Sequence, residues 1–223
     1  MQRLKSALPS YEIEKMYREF FVAGIDEAGR GPIAGPVVAA CVFLGEDFLS
    51  SEICAKINDS KKLSSFRRRE IFFHLKQKAK FGVGIVDEKI IDEINILQAT
   101  KLAMLRAYED FCAKNKISVQ VILVDGNFVP FEKYGQIQEI LPIIKGDQKS
   151  LSIAAASIVA KEVRDEIMME LHKKYPQFGW NKNAGYPTKF HTDRILKDGF
   201  CEFHRKSFAP ISLLDPRLKI IAK

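Results

Sequence analysis

The sequence predicts an α/β fold in which a mixed five-stranded sheet is flanked by helices on both faces. Two observations support this class. Short apolar runs rich in β-branched residues alternate along the chain with segments whose apolar residues follow a helical period. The strands and helices do not alternate one by one, because three strands come early and two more stand together before a long helix. That order is typical of a mixed sheet and excludes a purely parallel βαβ series.

Five strands and five helices follow from these patterns. We predict strands over residues 22–26, 37–44, 81–87, 119–125 and 140–145. We predict helices over residues 8–20, 64–80, 95–114, 150–174 and 187–199. Each boundary has a local signal: a capping serine at Ser64, a proline-threonine start at Pro187-Thr188, or a glycine stop at Gly199.

Side-chain patterns give these elements their predicted orientation. In the helix that begins at Ser64, we expect Phe66, Ile71 and Leu75 to face inward. Strand 119–125 shows no alternation of polar and apolar residues, so both of its faces should be buried.

The chain length suits one domain with small additions at its ends. We predict an N-terminal helical segment over 1–20 and a main α/β domain over 21–175. Residues 176–223, which are loop-rich and aromatic, form a C-terminal cap that contributes to substrate binding in this prediction.

Charge and composition narrow the class of function. The formal net charge of +7 favours a polyanionic partner, since lysine and arginine contacts to phosphates release counterions. The cysteines and histidines lack zinc-site spacing, so we expect reduced, mostly buried thiols. A secretory leader and a run of apolar residues long enough to span a bilayer are both missing from the sequence. We therefore expect a cytoplasmic protein without membrane contact, monomeric by default.

Acidic residues recur where predicted strands end. Asp26 and Glu27 close the first strand, Asp125 closes the fourth, and Asp147 follows the fifth. If these strands are parallel neighbours, their carboxyl ends meet at one edge of the sheet, where ligands gather in open α/β folds. For any one acid alone a turn is the favoured interpretation, especially beside Gly126 and Gly146, and only the acids taken together favour a site. Consecutive strand residues point to opposite faces, so Asp26 and Glu27 share a site only if the strand ends or bulges there.

Clustered carboxylates repel one another, and divalent cations remove that repulsion. Oxygen ligands select Mg²⁺ or Mn²⁺ over zinc. Two such ions activate water and stabilise a leaving oxygen, which points to phosphodiester hydrolysis.

A glycine-rich loop follows the first strand. The segment Gly29-Arg30-Gly31, with Gly35 further on, superficially resembles a dinucleotide-binding loop. The third glycine is one residue late and no helix follows, so the cofactor interpretation fails. A tight loop that brings backbone amides and Arg30 to a ligand fits better.

The motifs together resemble bacterial ribonuclease HII, of the type 2 ribonuclease H family. The resemblance spans about residues 20 to 210 and rests on these segments: GIDEAGRGPIAGPVVAA (24–40), NDSKKL (58–63), NILQATKLAM (95–104), VDGN (124–127), KGD (145–147), AAASIVAKEVRD (154–165), GYPT (185–188) and HRKSF (204–208).

This resemblance implies a ribonuclease H-like fold with a small C-terminal helical extension. It implies an endonuclease that cuts the RNA strand of RNA–DNA hybrids and cuts 5′ to ribonucleotides embedded in duplex DNA, leaving 5′-phosphate and 3′-hydroxyl ends. It assigns catalytic and metal-ligand roles to Asp26, Glu27, Asp125 and Asp147, with two Mn²⁺ or Mg²⁺ ions.

The resemblance also assigns reading of the ribose 2′-hydroxyl to the 29–31 loop and Tyr186. A packed aromatic remains the alternative for Tyr186. Lys62 is a candidate for holding substrate phosphates, and a solvated charge is the equal alternative, more so for Lys61. The run 67–69 of three arginines contacts DNA or is simply a solvated helix face.

Three further positions complete the comparison with the family pattern. Asp165 is expected to be structural support and not a metal ligand. Asn183-Ala184 replaces a family histidine-lysine pair, which puts a contact near the tyrosine in doubt, and Glu162 adds an unusual charge. A nuclease or recombinase acting on plain DNA, and a binding protein without activity, remain open as alternatives.

Overall fold

The computed structural model of the chain describes residues 8–214. Its central sheet has the strand order β3-β2-β1-β4-β5. The strands are β1 (Val22–Ala28), β2 (Val37–Phe43), β3 (Lys80–Val86), β4 (Val121–Asp125) and β5 (Glu139–Ile143). β1 pairs antiparallel with β2, as does β2 with β3, whereas β1, β4 and β5 are mutually parallel. The predicted mixed five-stranded sheet is therefore confirmed.

Helices cover both faces of this sheet. They are α1 (Glu12–Lys15), α2 (Glu46–Leu49), α3 (Ser65–Lys78), α4 (Glu88–Lys114), α5 (Leu151–Lys174), α6 (Trp180–Asn183) and α7 (Lys189–Asp198). One buried core lies between α4 and one face of the sheet, and a second lies between the other face and α3 with α5. Within residues 8–214, no helix is both long and apolar enough to cross a membrane.

Small residues bring α5 very close to the sheet. The first ten residues of α5 are all buried, and Gly24 of β1 lies directly beneath Ser152 and Ile153. A Cβ at Gly24 would overlap the backbone of α5, so only glycine permits this approach. The predicted strand 119–125 is also buried as expected, with Val121, Ile122, Leu123 and Val124 at most 1 % exposed.

The N-terminal prediction was too long. In place of a helix over 8–20, the structure has the single turn of α1, followed by i→i−3 turns that end at Phe20. The segment is instead fixed to the main domain, because Ser10 exchanges two main-chain hydrogen bonds with Lys149 and Leu151. Residues 1–7 of the predicted segment lie outside the described part of the chain.

The predicted helix 95–114 is the second part of a longer element. α4 begins directly after β3, where the Asp87 side chain caps it by accepting a hydrogen bond from Ile90 N at 2.9 Å. Asn95 interrupts α4 with φ 67°, and its side chain caps the second part by accepting from Leu97 N at 3.0 Å. The asparagine start was correct, and the turns before it were missed.

The inward face of α3 differs from the prediction. Ile71 and Leu75 are buried as expected, but Phe66 is 79 % exposed. Phe72 and Arg68 occupy the inner face instead. The cause is tertiary, since α3 packs against α5, which presents a buried carboxylate at Glu162 as well as apolar residues.

The C-terminal residues pack around a separate apolar cluster. Trp180, Phe178 and Ile195 form its centre, and it also includes Met168 of α5 and Ile33 from the loop after β1. The structure thus places residues 176–214 against the glycine-rich loop. The division at 176 remains a prediction, and residues 215–223 of the predicted cap lie outside the described chain.

Candidate active site

Three of the predicted acids meet at one edge of the sheet. The parallel pairing of β1 and β4 runs to Ile25 opposite Val124, so Asp26 and Asp125 each follow the last paired residue. Asp125 in turn lies opposite Ile143 of β5, and the chain turns from there to Asp147. Strand register alone therefore brings these carboxylates to the carboxyl ends of three adjacent parallel strands.

Glu27 reaches the site differently from what the sequence suggested. β1 neither ends nor bulges at Asp26, because its antiparallel pairing with β2 continues regularly through Glu27 to Ala28. Past Ile25, however, no pairing with β4 is formed, which leaves that side of β1 open. Both acids can therefore face the same region although they are consecutive on one strand.

Main-chain and side-chain donors hold the acids in place. Asp26 Oδ1 accepts from Glu27 N at 2.6 Å, and Asp125 Oδ1 accepts from Gly146 N at 2.7 Å. Glu27 Oε1 lies 3.4 Å from Arg30 Nη1. The contact from Asp125 to Gly146 ties β4 to the turn that carries Asp147.

The carboxylates raise one another's pKa. For Asp26, burial is the largest cause of its strongly raised pKa, followed by the charges of Glu27 and Asp125. Burial raises the pKa of Glu27 as well, against the opposing effect of Arg30. Burial and then Asp125 raise the pKa of Asp147 to about 6. Such mutual repulsion is what a bound cation relieves.

The donor chemistry of the acid cluster fits a hard divalent cation. All four acids supply oxygen ligands, as Mg²⁺ and Mn²⁺ prefer. Within residues 8–214, no three His, Cys, Asp or Glu side chains are arranged as a ready-made metal site.

Lys61 lies close to the acid cluster and interacts with its charges. Burial lowers its pKa, but the charges of Asp26, Asp147, Asp59 and Asp125 raise it more. Lys62 lies near Asp147, whose pKa it lowers. The prediction that Lys62 holds substrate phosphates stays a prediction, and both lysines lie near Asp147.

A cleft of about 520 Å³ opens beside the acids. It is lined by Glu27, Ala28, Gly29, Arg30, Gly31, Ser60, Lys61, Asp125, Ser157, Lys161, Arg164 and Tyr186. The ring of Tyr186 lies over Gly31, where an added Cβ would be 3.4 Å from the ring. Tyr186 is 46 % exposed, so it is available to a ligand and is not a packed core aromatic.

A family comparison identifies this arrangement. The sequence model described as Ribonuclease HII matches residues 23–211, which include every residue of the cleft. The chain belongs to the ribonuclease HII family. The chain is accordingly a ribonuclease H, an endonuclease of the hydrolase class that acts on RNA–DNA hybrids.

Individual relatives agree with the family. A Ribonuclease HII of Caldanaerobacter subterraneus subsp. tengcongensis is 50 % identical over 198 residues, 87 % of this chain and 77 % of the relative. The solved ribonuclease H2 of Pyrococcus horikoshii OT3 superposes with a TM-score of 0.69 at 28 % identity, covering 86 % of this chain and 95 % of that one. Bst-RNase HIII, solved in complex with Mn²⁺, shares the fold with a TM-score of 0.71 at 18 % identity, over 86 % of this chain and 68 % of its own.

In this ribonuclease HII, the three arginines of the run 67–69 differ in burial. Arg68 is buried and donates from Nε to Glu162 Oε1 and from Nη2 to Asp165 Oδ2 at 3.1 Å. It is therefore structural and cannot contact DNA, whereas Arg67 and Arg69 remain exposed. The unusual charge at Glu162 is the partner of Arg68, and Asp165 has the supporting contacts that were predicted.

Asn183-Ala184, which replaces the histidine-lysine pair of the family pattern, makes local hydrogen bonds of its own. Asn183 Nδ2 donates to Phe178 O at 2.7 Å, and its Oδ1 accepts from Gly185 N at 2.9 Å. Ala184 adopts φ 48°, which orients its carbonyl toward Arg164 Nη1, 2.9 Å away. The turn before Tyr186 thus has its own support.

The supporting role of Glu14 was not predicted from the sequence. Glu14 is 1 % exposed and accepts from Ser150 Oγ at 2.6 Å and Ser152 N at 2.9 Å, which fixes the start of α5 just after Asp147. Its signal was weak, because a glutamate in a short amphipathic segment normally faces solvent.

The histidines of the C-terminal cluster form a buried network. Trp180 Nε1 donates to His191 Nε2 at 3.1 Å, so that nitrogen carries no proton and accepts also from His204 Nε2 at 3.0 Å. His191 Nδ1 then donates to Tyr186 O at 2.9 Å. Cys201 N donates to His204 Nδ1 at 3.0 Å, so both rings are neutral and fully bonded. This network anchors the backbone of Tyr186.

The cysteines are only partly as expected. All four are free thiols, as predicted. Cys41 and Cys201 are buried, but Cys112 is exposed and Cys54 is half-buried.

Proposed function

We propose that this ribonuclease HII cuts duplex DNA on the 5′ side of an embedded ribonucleotide and cuts the RNA strand of hybrids, leaving 5′-phosphate and 3′-hydroxyl ends. One observation carries the proposal. Glu27 and Asp125 of the acid cluster line one cleft together with the 29–31 loop and Tyr186, so a scissile phosphate at these acids would place the adjoining ribose at Tyr186.

We assign the metal-ligand role to Asp26, Glu27, Asp125 and Asp147. Two Mg²⁺ or Mn²⁺ ions held there would supply charge neutralisation and water activation for the reaction. In a hydrolysis that leaves these ends, water attacks phosphorus, the bond to the preceding nucleotide's 3′-oxygen breaks, and a proton ends on that oxygen. Residues of this chain bind and orient the substrate for that attack.

Recognition of the ribose is assigned to the loop and the tyrosine. A 2′-hydroxyl both donates and accepts hydrogen bonds, so the backbone of Gly29, Arg30 and Gly31 and the Tyr186 hydroxyl can distinguish RNA from DNA. Lys61, close to the acids, and Lys62 are assigned to substrate phosphates. Residues 176–223 contribute as a substrate-binding cap in the same proposal.

The decisive experiment uses a labelled DNA duplex with one ribonucleotide, beside an all-DNA duplex, in Mg²⁺ or Mn²⁺. We expect one cut 5′ to the ribonucleotide, abolished by chelator and reduced roughly 100-fold or more by Asp125→Asn. Asp47→Asn, at an exposed acid on α2, is the matched control and should cut at the wild-type rate.

Two outcomes would reject the proposal. Equal cutting of the all-DNA duplex would indicate a DNA nuclease on this fold. Binding without cutting in either metal would indicate a nucleic-acid-binding protein. Cytoplasmic location, a role in removing ribonucleotides from DNA and a monomeric state belong to the same proposal, and light scattering of the purified chain tests the last.

A further inference from the structure

Two buried arginines fasten the glycine-rich loop through its carbonyls. Arg164 of α5 donates from Nε to Pro36 O at 2.9 Å and from Nη2 to Ala34 O at 3.0 Å. Arg205 donates from Nη2 to Gly29 O at 2.7 Å, from Nε to Gly35 O at 2.9 Å and from Nη1 to Arg30 O at 3.2 Å. Their exposed fractions are 1 % and 0 %, so neither guanidinium is available to a phosphate.

Arg164 alone reaches a second segment of the cleft. Its Nη1 donates to Ala184 O at 2.9 Å, two residues before Tyr186. The same two segments also meet directly, because Ile33 N donates to Gly185 O at 2.9 Å. One guanidinium therefore holds both the loop and the tyrosine segment.

The packing leaves little freedom for this bridge. Gly29 has φ +100°, and an added Cβ would overlap the Arg164 side chain. At Gly185, an added Cβ would overlap Ala34 O. Burial also lowers the pKa of Arg164 to about 10, against the smaller opposing effects of Tyr186 and Asp165, and its carbonyl partners satisfy the buried donors.

We propose that Arg164 is a positioning residue that sets the spacing between the glycine-rich loop and Tyr186, and thereby the recognition of the ribose 2′-hydroxyl. The inference rests on the proposed function. Lysine keeps the charge but lacks a planar fork with donors in three directions, so Arg164→Lys should release one segment from the other. The acids and the phosphate contacts should be unaffected.

A double-mutant cycle tests this coupling. Single-turnover cutting of the single-ribonucleotide duplex is measured for wild type, Arg164→Lys, Tyr186→Phe and the double variant. Loss of the hydroxyl should slow wild type about three- to tenfold, the value of one hydrogen bond, and should slow Arg164→Lys less than about twofold. Binding of the all-DNA duplex by Arg164→Lys should stay within about twofold of wild type.

A destabilised control separates positioning from loss of fold. Ile71→Ala weakens the core at α3, away from the cleft, and should leave the effect of Tyr186→Phe at its full size. If Arg164→Lys does not fold, Arg164→Gln takes its place in the cycle.

The outcomes are distinct. Equal slowing by Tyr186→Phe in both arginine and lysine backgrounds overturns the inference and leaves the proposed function intact. Failure of the wild-type protein to cut at the ribonucleotide overturns the proposed function itself.

Discussion

Asp125→Asn should make the metal-free protein more stable, although it reduces cutting roughly 100-fold or more. Asparagine keeps the oxygen that accepts from Gly146 N, so the turn before Asp147 remains anchored. The substitution removes only a negative charge. That charge raises the pKa of both Asp26 and Asp147, which means that it destabilises the folded state whenever these groups are ionised.

The magnitude follows from Asp147. Its pKa rises from 3.8 to about 6, so ionised Asp147 costs up to about 3 kcal/mol at 1.36 kcal/mol for each pKa unit. Burial is the larger cause and solvent screens the charges, which leaves about 1 kcal/mol for repulsion by Asp125. For a chain of this length, we expect unfolding to shift upward by about 2–4 °C.

Thermal unfolding with chelator at pH 7.5 and at pH 4.5 measures this effect. A carboxyl whose folded pKa is raised binds more protons in the folded state, so wild-type stability should rise as the pH falls from about 6 toward 4. The advantage of Asp125→Asn should therefore be full at pH 7.5 and smaller at pH 4.5. A variant no more stable than wild type at pH 7.5 would refute repulsion as a cause of the raised pKa values.

Three further predictions concern the framework around the site. Gly24→Ala should lower the free energy of unfolding, measured by urea denaturation, by about 1–3 kcal/mol, because its Cβ overlaps the backbone at Ile153. Gly45→Ala is the control and should leave this free energy nearly unchanged, because the nearest atom to its Cβ would be 3.8 Å away. Wild type should lose stability as the pH falls from 6.5 toward 3, because burial lowers the pKa of the His204 imidazole to about 3, and His204→Asn should lose less. A urea midpoint that falls equally between pH 7 and pH 5 in the two proteins would contradict this. Glu162→Gln should lower the free energy of unfolding by about 2 kcal/mol, because the buried Arg68 loses one of its two charged partners and keeps Asp165. An unchanged midpoint of thermal denaturation would count against a stabilising buried ion pair.

The sequence predicted those parts of the site that strand pattern determines. Asp125 and Asp147 were placed correctly relative to the strands because an acid at the end of a continuous apolar run has few other locations. The position of Glu27 could not be predicted from the sequence, because its access to the site depends on where the pairing between β1 and β4 stops. No local pattern contains that information.

The roles of individual basic residues could not be predicted in the same way. Arg68 stands in a run of three arginines, and its burial depends on Glu162, 94 residues later in the chain. The bonds of Arg164 and Arg205 are likewise to carbonyls far along the sequence. Such partners are created by the packing of α5 against the sheet, which single-sequence patterns do not specify.

These contacts explain how a repulsive cluster can be maintained in a folded protein. The acids of the cleft are held by main-chain donors, as Asp26 is by Glu27 N, and the field of Lys61 opposes their charge. The elements behind them are fixed independently, because Glu14 binds the start of α5 through Ser150. The free energy that favours this arrangement therefore comes from outside the cluster. A cation bound at these acids would relieve their mutual repulsion, which raises the pKa of Asp26 and Asp147.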